Sequence, residues 1–238
     1  MKKLLVIMIS CLAFSRTVQA KENSGFRVQG GIGFSTMYYS PDANSYKDIK
    51  KKAKVAGFVG IGYELRVAKI IAIQPEINYL NRGAVREFTN ILSGQRVKMT
   101  MNLHTIEIPL LLKLCFGKHF NIYTGPYIGF NLAASAKSNF YDTSGKEVGQ
   151  NKGVNIMKSK YNDADNNKAY KRLDVGVDVG LEAVIIKGFF IGARITQGFL
   201  DLTNDKYKGY VGSDAVILPG DGRWVGSTSA NLYTGYRF

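Results

Sequence analysis

The stretch Arg172–Phe199, RLDVGVDVGLEAVIIKGFFIGARITQGF, carries the strongest structural signal in the chain. Apolar residues alternate with polar or small residues from Leu173 to Ile185 and again from Phe189 to Ile195. This period of two predicts β-strands, and the break at Lys187–Gly188 predicts a tight turn between them. Both runs exceed the roughly 5–6 residues typical of globular sheets and fit the roughly 9–11 residues with which a tilted strand crosses a bilayer. The stretch therefore predicts a membrane-spanning β-hairpin.

The start of the chain has the layout of a secretory signal peptide. Two lysines precede an apolar run from Leu4 to Phe14, and Val18–Ala20 provides a small-residue cleavage site. The run is shorter than the about 20 residues that a transmembrane helix needs. Cys11 lies inside the run rather than after it, which argues against a lipoprotein signal. We expect a signal peptide over residues 1–20 and an outer-membrane β-barrel domain over residues 21–238.

Composition narrows the class of protein. The chain has 238 residues and a formal net charge of +14, which falls to +11 when Lys2, Lys3 and Arg16 leave with the signal peptide. Cys115 would then be the single cysteine, so the mature sequence excludes an intrachain disulfide and a cysteine-based metal site. The basic residues lack interleaved stacking aromatics, and we therefore expect no nucleic-acid partner.

The connections between alternating segments follow a rule. Short ones at 67–68, 117–118 and 187–188 alternate strictly with long ones at 40–53, 89–95, 137–169 and 202–222. Up-and-down barrels of the outer membrane have short periplasmic turns and longer outside loops. We predict an all-β fold, namely an eight-stranded antiparallel up-and-down transmembrane β-barrel. Its strands are expected at 25–39, 54–66, 69–88, 96–116, 119–136, 170–186, 188–201 and 223–238.

Three features place the polar face of the strands inside the barrel. Glycines recur on that face, as a narrow eight-stranded interior requires. Its acids and bases nearly balance, as enclosed charges must. Aromatic residues gather near strand ends, as in interfacial girdles: Tyr38, Tyr39, Tyr63, Tyr79, Trp224, Tyr236 and Phe238. We predict a structural network of lumen charges that consists of Arg27, Glu64, Arg66, Glu76, Arg82, Glu107, Lys113, Arg172, Asp174, Asp178, Glu182, Arg194 and Arg237.

One predicted strand changes phase. Its apolar residues fall on odd numbers from Val97 to Leu103 and on even numbers from Ile106 to Leu114. One extra residue near His104–Thr105 would bring both halves to the same face. We therefore predict a β-bulge at His104–Thr105.

Three short motifs lie in the middle strands: Gln74-Pro75-Glu76, Glu107-Ile108-Pro109-Leu110 and Gly125-Pro126. Together with the terminal LYTGYRF they resemble the PorT-like outer-membrane β-barrel family of the Bacteroidota, and the resemblance covers nearly all of the mature chain. It implies an outer-membrane location and an eight-stranded barrel. It implies no single activity, although the founding member is associated with protein secretion. The terminal Phe238 resembles the insertion signal that the barrel-assembly machinery recognises.

The sequence offers weak candidates for chemistry. His104 and His119 lie far apart, and no Gly-x-Ser-x-Gly motif accompanies them, so we expect no enzyme and no catalytic residues. Asp174, Asp178 and Glu182 are spaced four residues apart and could form a proton or cation path. An eight-stranded interior leaves no aqueous channel, which favours a salt-bridge plug instead.

A calcium-like sequence occurs in the longest connection. Asp163, Asp165 and Asn167 resemble the start of an EF-hand loop, but Lys168 stands where the required glycine should follow. We read this segment as a solvated loop and expect no metal and no cofactor.

The predicted outside loops are basic. The first contains Lys47, Lys50, Lys51, Lys52 and Lys54. Such lysines favour contact with the phosphorylated heads of outer-membrane lipid, including lipopolysaccharide. A polyanionic ligand, a host surface and ordinary solvated charge are the alternatives.

These observations predict a monomeric outer-membrane β-barrel protein with a structural or surface-interaction role, basic extracellular loops and a plugged lumen. One alternative is an accessory component of protein secretion or transport across the outer membrane, which would bind an envelope partner. A second alternative is a soluble periplasmic ligand-binding barrel, whose apolar face would point inward.

Overall fold

The computed structural model describes residues 24–39, 46–90, 94–117, 119–155, 171–202 and 225–238. The expected signal peptide, the calcium-like segment from Asp163 to Asn167 and Trp224 lie outside these ranges, so those interpretations stay predictions. Within the ranges, no helix has the length and hydropathy needed to cross a membrane.

The described residues form nine strands that pair antiparallel throughout. They are β1 (Gly25–Tyr39), β2 (Tyr46–Arg66), β3 (Ile71–Asn90), β4 (Arg96–Phe116), β5 (Phe120–Tyr141), β6 (Glu147–Asn155), β7 (Leu173–Ile186), β8 (Phe189–Gly198) and β9 (Val225–Arg237). Strand β1 pairs with both β2 and β9, while β5 pairs with both β4 and β7. Among the described residues, eight strands thus close into a ring, and β6 adds to the edge of β5. The predicted eight-stranded antiparallel barrel is confirmed.

One end of the barrel carries the short turns and both described termini, and we call it the turn side. Gly117 and Gly188 lie in two of these turns with φ of 66° and 83°. A residue with a Cβ atom is strained in this left-handed conformation, whereas glycine adopts it freely, so glycine suits both positions. The opposite end, toward which the longer connections lead, is the loop side.

The outer wall is apolar and the interior is polar. Along β4, Ile108, Leu110 and Leu112 are about half exposed, whereas Glu107 and Lys113 are fully buried. Exposed apolar surface of this extent suits a lipid environment. The alternative of a soluble ligand-binding barrel is therefore wrong, because the charged side chains face inward and the apolar ones outward.

Aromatic rings surround the turn-side end of the apolar band. These exposed rings are Phe26, Tyr63, Phe116, Phe120, Phe189, Tyr236 and Phe238. The predicted girdle members Tyr63, Tyr236 and Phe238 belong to this ring, and Tyr79 lies near the opposite boundary of the band. The side chains of Tyr38 and Tyr39 are not described.

Half of the wall is much taller than the other half. Strands β2 to β5 have 21, 20, 21 and 22 residues, whereas β7, β8 and β9 have 14, 10 and 13. About 9–11 residues suffice to cross a bilayer. The loop-side parts of β2 to β5, together with β6, therefore form a sheet beyond the apolar band, which we call the protruding sheet.

The protruding sheet corrects two predicted loops. The first long connection was expected at 40–53, but β2 begins at Tyr46, and the connection expected at 137–169 begins with the end of β5 and all of β6. Backbone pairing with β3 and β5 continues where the sequence has no apolar alternation, so the sequence pattern does not reveal these strands. The predicted basic loop is thus a strand. Its lysines, Lys47, Lys50, Lys51, Lys52 and Lys54, all lie in β2.

The predicted bulge lies at the right level but in the neighbouring strand. Strand β4 buries its odd-numbered residues without interruption from Val97 to Cys115. His104 pairs with Ala133 and Thr105 with Asn131, so the extra residue is Leu132 of β5. The phase change in β4 reflects a change in chemistry on both faces of the strand. The inward residues from Val97 to Leu103 are all apolar, whereas those from Thr105 onward include Glu107 and Lys113, and the outward residues become apolar from Ile106.

A second irregularity interrupts the pairing of β2 with β3. Ala53 pairs with Ala84 and Gly57 with Asn81, so β2 contains one extra residue. The buried Ser35 of β1 spans this gap: its hydroxyl donates to the Gly83 carbonyl at 2.9 Å and accepts from the Gly83 N–H at 2.8 Å. These bonds satisfy backbone groups of β3 that face the bulge.

The lipid-facing band can be tested with Leu110→Lys, which puts a charge at its middle. We expect a loss of about 2–4 kcal/mol in the free energy of unfolding, because a midplane lysine in a barrel wall costs that much. The measurement is reversible urea unfolding of the barrel refolded into phospholipid vesicles. Asn102→Lys is the matched control, since it lies on the same face of β4 beyond the band. Equal losses in the two variants would contradict the assigned band.

Candidate functional site

The lumen is the candidate site because it concentrates the charged side chains of the barrel. Every second residue of each strand points inward. The structure brings together all predicted lumen charges except Arg172: Arg27, Glu64, Arg66, Glu76, Arg82, Glu107, Lys113, Asp174, Asp178, Glu182, Arg194 and Arg237. Arg172 is exposed and precedes the start of β7 at Leu173, so the alternation that would turn it inward does not reach it.

The layer nearest the turn side joins two acids and two bases. Lys113 Nζ lies 2.8 Å from Glu64 Oε2 and 2.9 Å from Glu182 Oε1. Arg27 Nη2 lies 2.6 Å from Glu182 Oε2, and its guanidinium stacks 4.1 Å from the centre of the Phe190 ring. All four charged groups are buried. Buried charges are tolerated when they are paired and hydrogen-bonded in this way.

Two further bases close the turn-side mouth. Arg237 Nη1 lies 2.5 Å from Glu64 Oε1, and Arg66 Nη2 lies 3.3 Å from the same oxygen. The space between these residues and Glu182 holds no volume that a water molecule could occupy. Side chains therefore fill this part of the turn-side end of the lumen.

The middle layer is built around Arg194. Its Nη2 lies 2.8 Å from Glu76 Oε2, and its Nη1 lies 3.7 Å from Asp178 Oδ2. The guanidinium also lies within 5.5 Å of the ring centres of Phe58, Tyr123 and Tyr233. Rings at this distance stabilise a cation.

The layer nearest the loop side is less completely paired. Arg82 Nη2 lies 2.6 Å from Asp174 Oδ2, which also accepts a bond from Tyr127 at 3.1 Å. Glu107 lies only within 3.9 Å of Arg82, and neither of its carboxylate oxygens has a hydrogen-bond partner within the described residues. This layer therefore pairs its acids less well than the turn-side layer does.

Large rings fill the lumen opposite glycines. A Cβ atom added to any of four inward glycines would overlap an aromatic ring across the sheet. The pairs are Gly176 with Tyr127, Gly180 with Tyr123, Gly192 with Tyr233 and Gly235 with Phe190. The sequence pattern identified Gly176, Gly180 and Gly192 as inward glycines but not Gly235. It also omitted the rings, although all four rings share the inward alternation of their strands.

Sequence reasoning also missed the amides that link the layers. Gln74 accepts from Arg27 Nη1 at 2.5 Å and donates to Glu76 at the same distance. Asn78 donates to Glu76 Oε2 at 2.9 Å. Both amides occupy the positions that alternate with Glu76 in β3, and that alternation is the signal that could have identified them.

This arrangement is a plug rather than a pathway. Asp174, Asp178 and Glu182 lie in three different layers, each beside its own base. Among the described residues, no cluster of histidine, cysteine and acidic side chains has the geometry of a metal site. Among the described residues, the plug links opposite walls and leaves no room for a water molecule between Glu64, Glu182 and Arg237.

The remaining candidates lie outside the lumen or at its edge. His104 is on the outer wall, bonded to Tyr79, and His119 is exposed in a turn. Phe238 donates its N–H to the Phe26 carbonyl at 2.9 Å, and its ring centre lies 5.0 Å from that of Tyr236. The C-terminal residue is thus fixed against the first strand.

The layered network can be tested with two variants that each remove one buried negative charge. Glu182→Gln should cost about 3–5 kcal/mol in the free energy of unfolding, because it leaves Arg27 and Lys113 with an uncompensated charge. Glu107→Gln should change it by less than about 1 kcal/mol, because that carboxylate accepts no hydrogen bond and Arg82 keeps Asp174. Urea unfolding in vesicles measures both. Similar losses would show that the network does not divide into these layers.

Comparison with known proteins supports the architecture. A family model described as "Outer membrane protein beta-barrel domain" matches residues 17–204. No curated protein matches the chain significantly.

Three solved structures are similar to the chain at low identity. Ail, the attachment invasion locus protein of Yersinia pestis, in complex with the heparin analogue sucrose octasulfate, is 12% identical, with 90% of this chain and 99% of that chain covered and a TM-score of 0.44. Neisserial surface protein A is 11% identical, with 91% and 100% covered and a score of 0.41. OprG from Pseudomonas aeruginosa is 13% identical, with 90% and 96% covered and a score of 0.38.

The family match covers most of the chain, and it agrees with the closed barrel and its apolar outer band. The predicted outer-membrane location is confirmed with it. The chain belongs to the outer membrane protein β-barrel domain family.

Proposed function

We propose that this barrel is a surface-interaction protein that binds phosphorylated head groups of the outer leaflet, including those of lipopolysaccharide, through the protruding sheet. The observation that carries the proposal is a cluster of exposed bases on the outward face of that sheet. We call it the basic face, and it consists of Lys50, Lys52, Arg96, Lys98 and Lys137.

Strand register brings these bases together. Lys50 pairs with Glu87, which pairs on its other side with Lys98. The next row down contains Lys52 and Lys137, separated by two uncharged residues of β3 and β4. Residues directly opposite one another in a sheet lie about 4.5–5.5 Å apart. The basic face is therefore one continuous surface.

Few acids lie on this surface to neutralise it. Glu87 accepts a bond from Lys52 Nζ at 3.0 Å, and that bond holds the pKa of the Glu87 carboxyl below its usual range. Glu147 accepts from Asn139 at 3.1 Å. The basic face keeps a net positive charge among its described residues, and such a surface attracts anionic groups.

The basic face also continues directly from the lipid-facing band. Along the outward side of β4, apolar residues from Leu114 to Ile106 give way to His104, Asn102 and Thr100, and then to Lys98. In this family's architecture the loop side faces the exterior. Lys98 therefore lies on the exterior side of the apolar band, in the direction of the phosphorylated groups of the outer leaflet.

Other parts of the proposal depend on the sequence motifs. The finer proposal, that the chain is PorT-like and comes from the Bacteroidota, is supported by the motifs Gln74-Pro75-Glu76 and Glu107-Ile108-Pro109-Leu110, which carry that resemblance. We infer a monomer without enzymatic activity, since His104 and His119 are held apart on the outer wall and in a turn.

The barrel-assembly machinery is the proposed partner during insertion, with Phe238 as its signal. An accessory role in secretion would use the protruding sheet, because side chains fill the lumen.

The double variant Lys98→Glu/Lys137→Glu tests the basic face. Calorimetric titration of the barrel in phosphatidylcholine nanodiscs with deacylated lipopolysaccharide should show binding weakened about 25-fold or more, because each lysine near a lipid surface contributes roughly 1 kcal/mol. Added salt should weaken the wild-type binding as well.

The matched control is Lys69→Glu/Lys187→Glu, which makes the same change in net charge at two exposed turn-side residues. We expect it to bind within twofold of the wild type. A wild type that binds no deacylated lipopolysaccharide, or a control that loses as much affinity as the test variant, would disprove the proposed role of the basic face.

A further inference from the structure

A groove indents the outer wall of the barrel beside the bulge of β2. Its volume is about 430 Å³, within the roughly 300–1,000 Å³ typical of small-molecule sites. Its lining includes Val55, Gly57, Val59, Tyr79 and Asn81. It therefore runs between the outward residues of β2 and β3, near the loop-side boundary of the apolar band.

The floor of the groove is backbone because Gly57 has no side chain. A Cβ atom at Gly57 would lie 3.4 Å from the Gly31 carbonyl oxygen, so the position has room for a side chain that it does not carry. The flanking Val55 and Val59 are 66% and 61% exposed, against 46% for the next outward residue, Ile61. Their methyl groups project outward on either side of the groove floor at Gly57, and a lipid chain would fill the space between them.

The loop-side rim of the groove is polar and cationic. Lys54 Nζ donates to Asn81 Oδ1 at 3.2 Å. Asn81 pairs across the strands with His104, whose Nδ1 lies 2.7 Å from the Tyr79 hydroxyl. The Tyr79 and His104 rings also stack, with their centres 6.1 Å apart. A row of hydrogen-bonding groups with one ammonium thus borders an apolar groove.

The position of this rim decides what could occupy the groove. Below Tyr79 the outward residues of β3 are Ile77 and Ile73, both exposed and apolar, so the groove opens onto lipid chains. No carboxylate within the described residues lies within ion-pair distance of Lys54. An anionic head group with an attached acyl chain complements both ends of the site.

We propose that this groove binds one phosphorylated lipid of the loop-side leaflet. One acyl chain lies over Gly57 between Val59 and Tyr79, and the phosphate contacts Lys54 and Asn81 at the rim. The site deepens the proposed function, and it rests on the same orientation of the barrel but not on the basic face. It adds a single bound lipid on the barrel wall.

Native mass spectrometry of the full barrel tests this site. Dimyristoylphosphatidic acid and dimyristoylphosphatidylcholine are added separately and in competition, and the fraction carrying one lipid is measured. The wild type should retain one phosphatidic acid in preference to phosphatidylcholine. Lys54→Gln should weaken that preference about five- to tenfold, because it removes the charge near the phosphate. Gly57→Leu should abolish retention of both lipids, because its side chain fills the groove.

Matched controls separate the site from general effects of charge and bulk. Lys69→Gln removes an exposed lysine at the opposite, turn-side end of the barrel, and Ala193→Leu enlarges an outward residue on the distant β8 wall. Both should retain phosphatidic acid like the wild type. Val55→Ser is the second groove variant if Gly57→Leu does not fold, and it should weaken retention of both lipids.

Three outcomes would overturn the inference. If the wild type retained both lipids equally, the proposed contact between the anionic head group and Lys54 would be disproved. Unchanged lipid retention in folded Gly57→Leu or Val55→Ser would show that the lipid does not bind in the groove. Displacement of the lipid by inorganic phosphate at equal concentration would make this a site for free anions. Lys98→Glu/Lys137→Glu leaves the groove intact and should keep its lipid, so this test can fail or succeed separately from that of the basic face.

Discussion

Glu182 and Glu64 illustrate the constraint on which the barrel depends, namely that charges enclosed in a narrow lumen must find partners inside it. Through Arg27 and Lys113 these two acids connect β1, β2, β4 and β7. Strand β4 pairs with neither β1 nor β7, so these bonds cross the lumen. The backbone ladder fixes each strand to its neighbours, whereas the ion pairs fix opposite walls. Removal of one partner leaves a buried charge, which is far more costly than the loss of a surface ion pair.

The lumen was predictable from sequence because two simple rules coincide there. Alternation assigns each residue of a strand to one face, and only the lumen face can hold charges in a lipid-embedded wall. Asp174, Asp178 and Glu182 therefore all turn inward as expected. The partner of each acid was not predictable, because pairing across the lumen depends on strand register and tilt, which a single sequence does not display. Arg172 shows the limit of the rule, since it lies one residue before the strand begins.

The parts of the protruding sheet that β2, β5 and β6 contribute were not predicted, for a related reason. In β2 the residues from Lys47 to Lys52 form a strand through backbone pairing with β3, and their sequence, KDIKKK, shows no apolar alternation. The sequence predicts the bulge in β4 rather than β5 because the apolar residues of β4 change from odd to even numbers. The burial pattern shows that the interior, rather than the backbone, changes at that level. The groove beside Lys54 could not be foreseen, because it arises from the bulge of β2 and the small size of Gly57.

The seam between the first and last strands has a consequence for biogenesis. Strand β1 pairs with β9 along nearly its whole length, from Arg27 with Arg237 to Tyr39 with Val225, and Phe238 bonds to Phe26. Strand β9 thus completes the ring by pairing with both β1 and β8. Without β9, those two strands would have unpaired edges and the lumen would open to water on one side. The buried charges of Arg27 and Glu182 would then gain no stability from enclosure, so assembly of the whole lumen depends on this one strand.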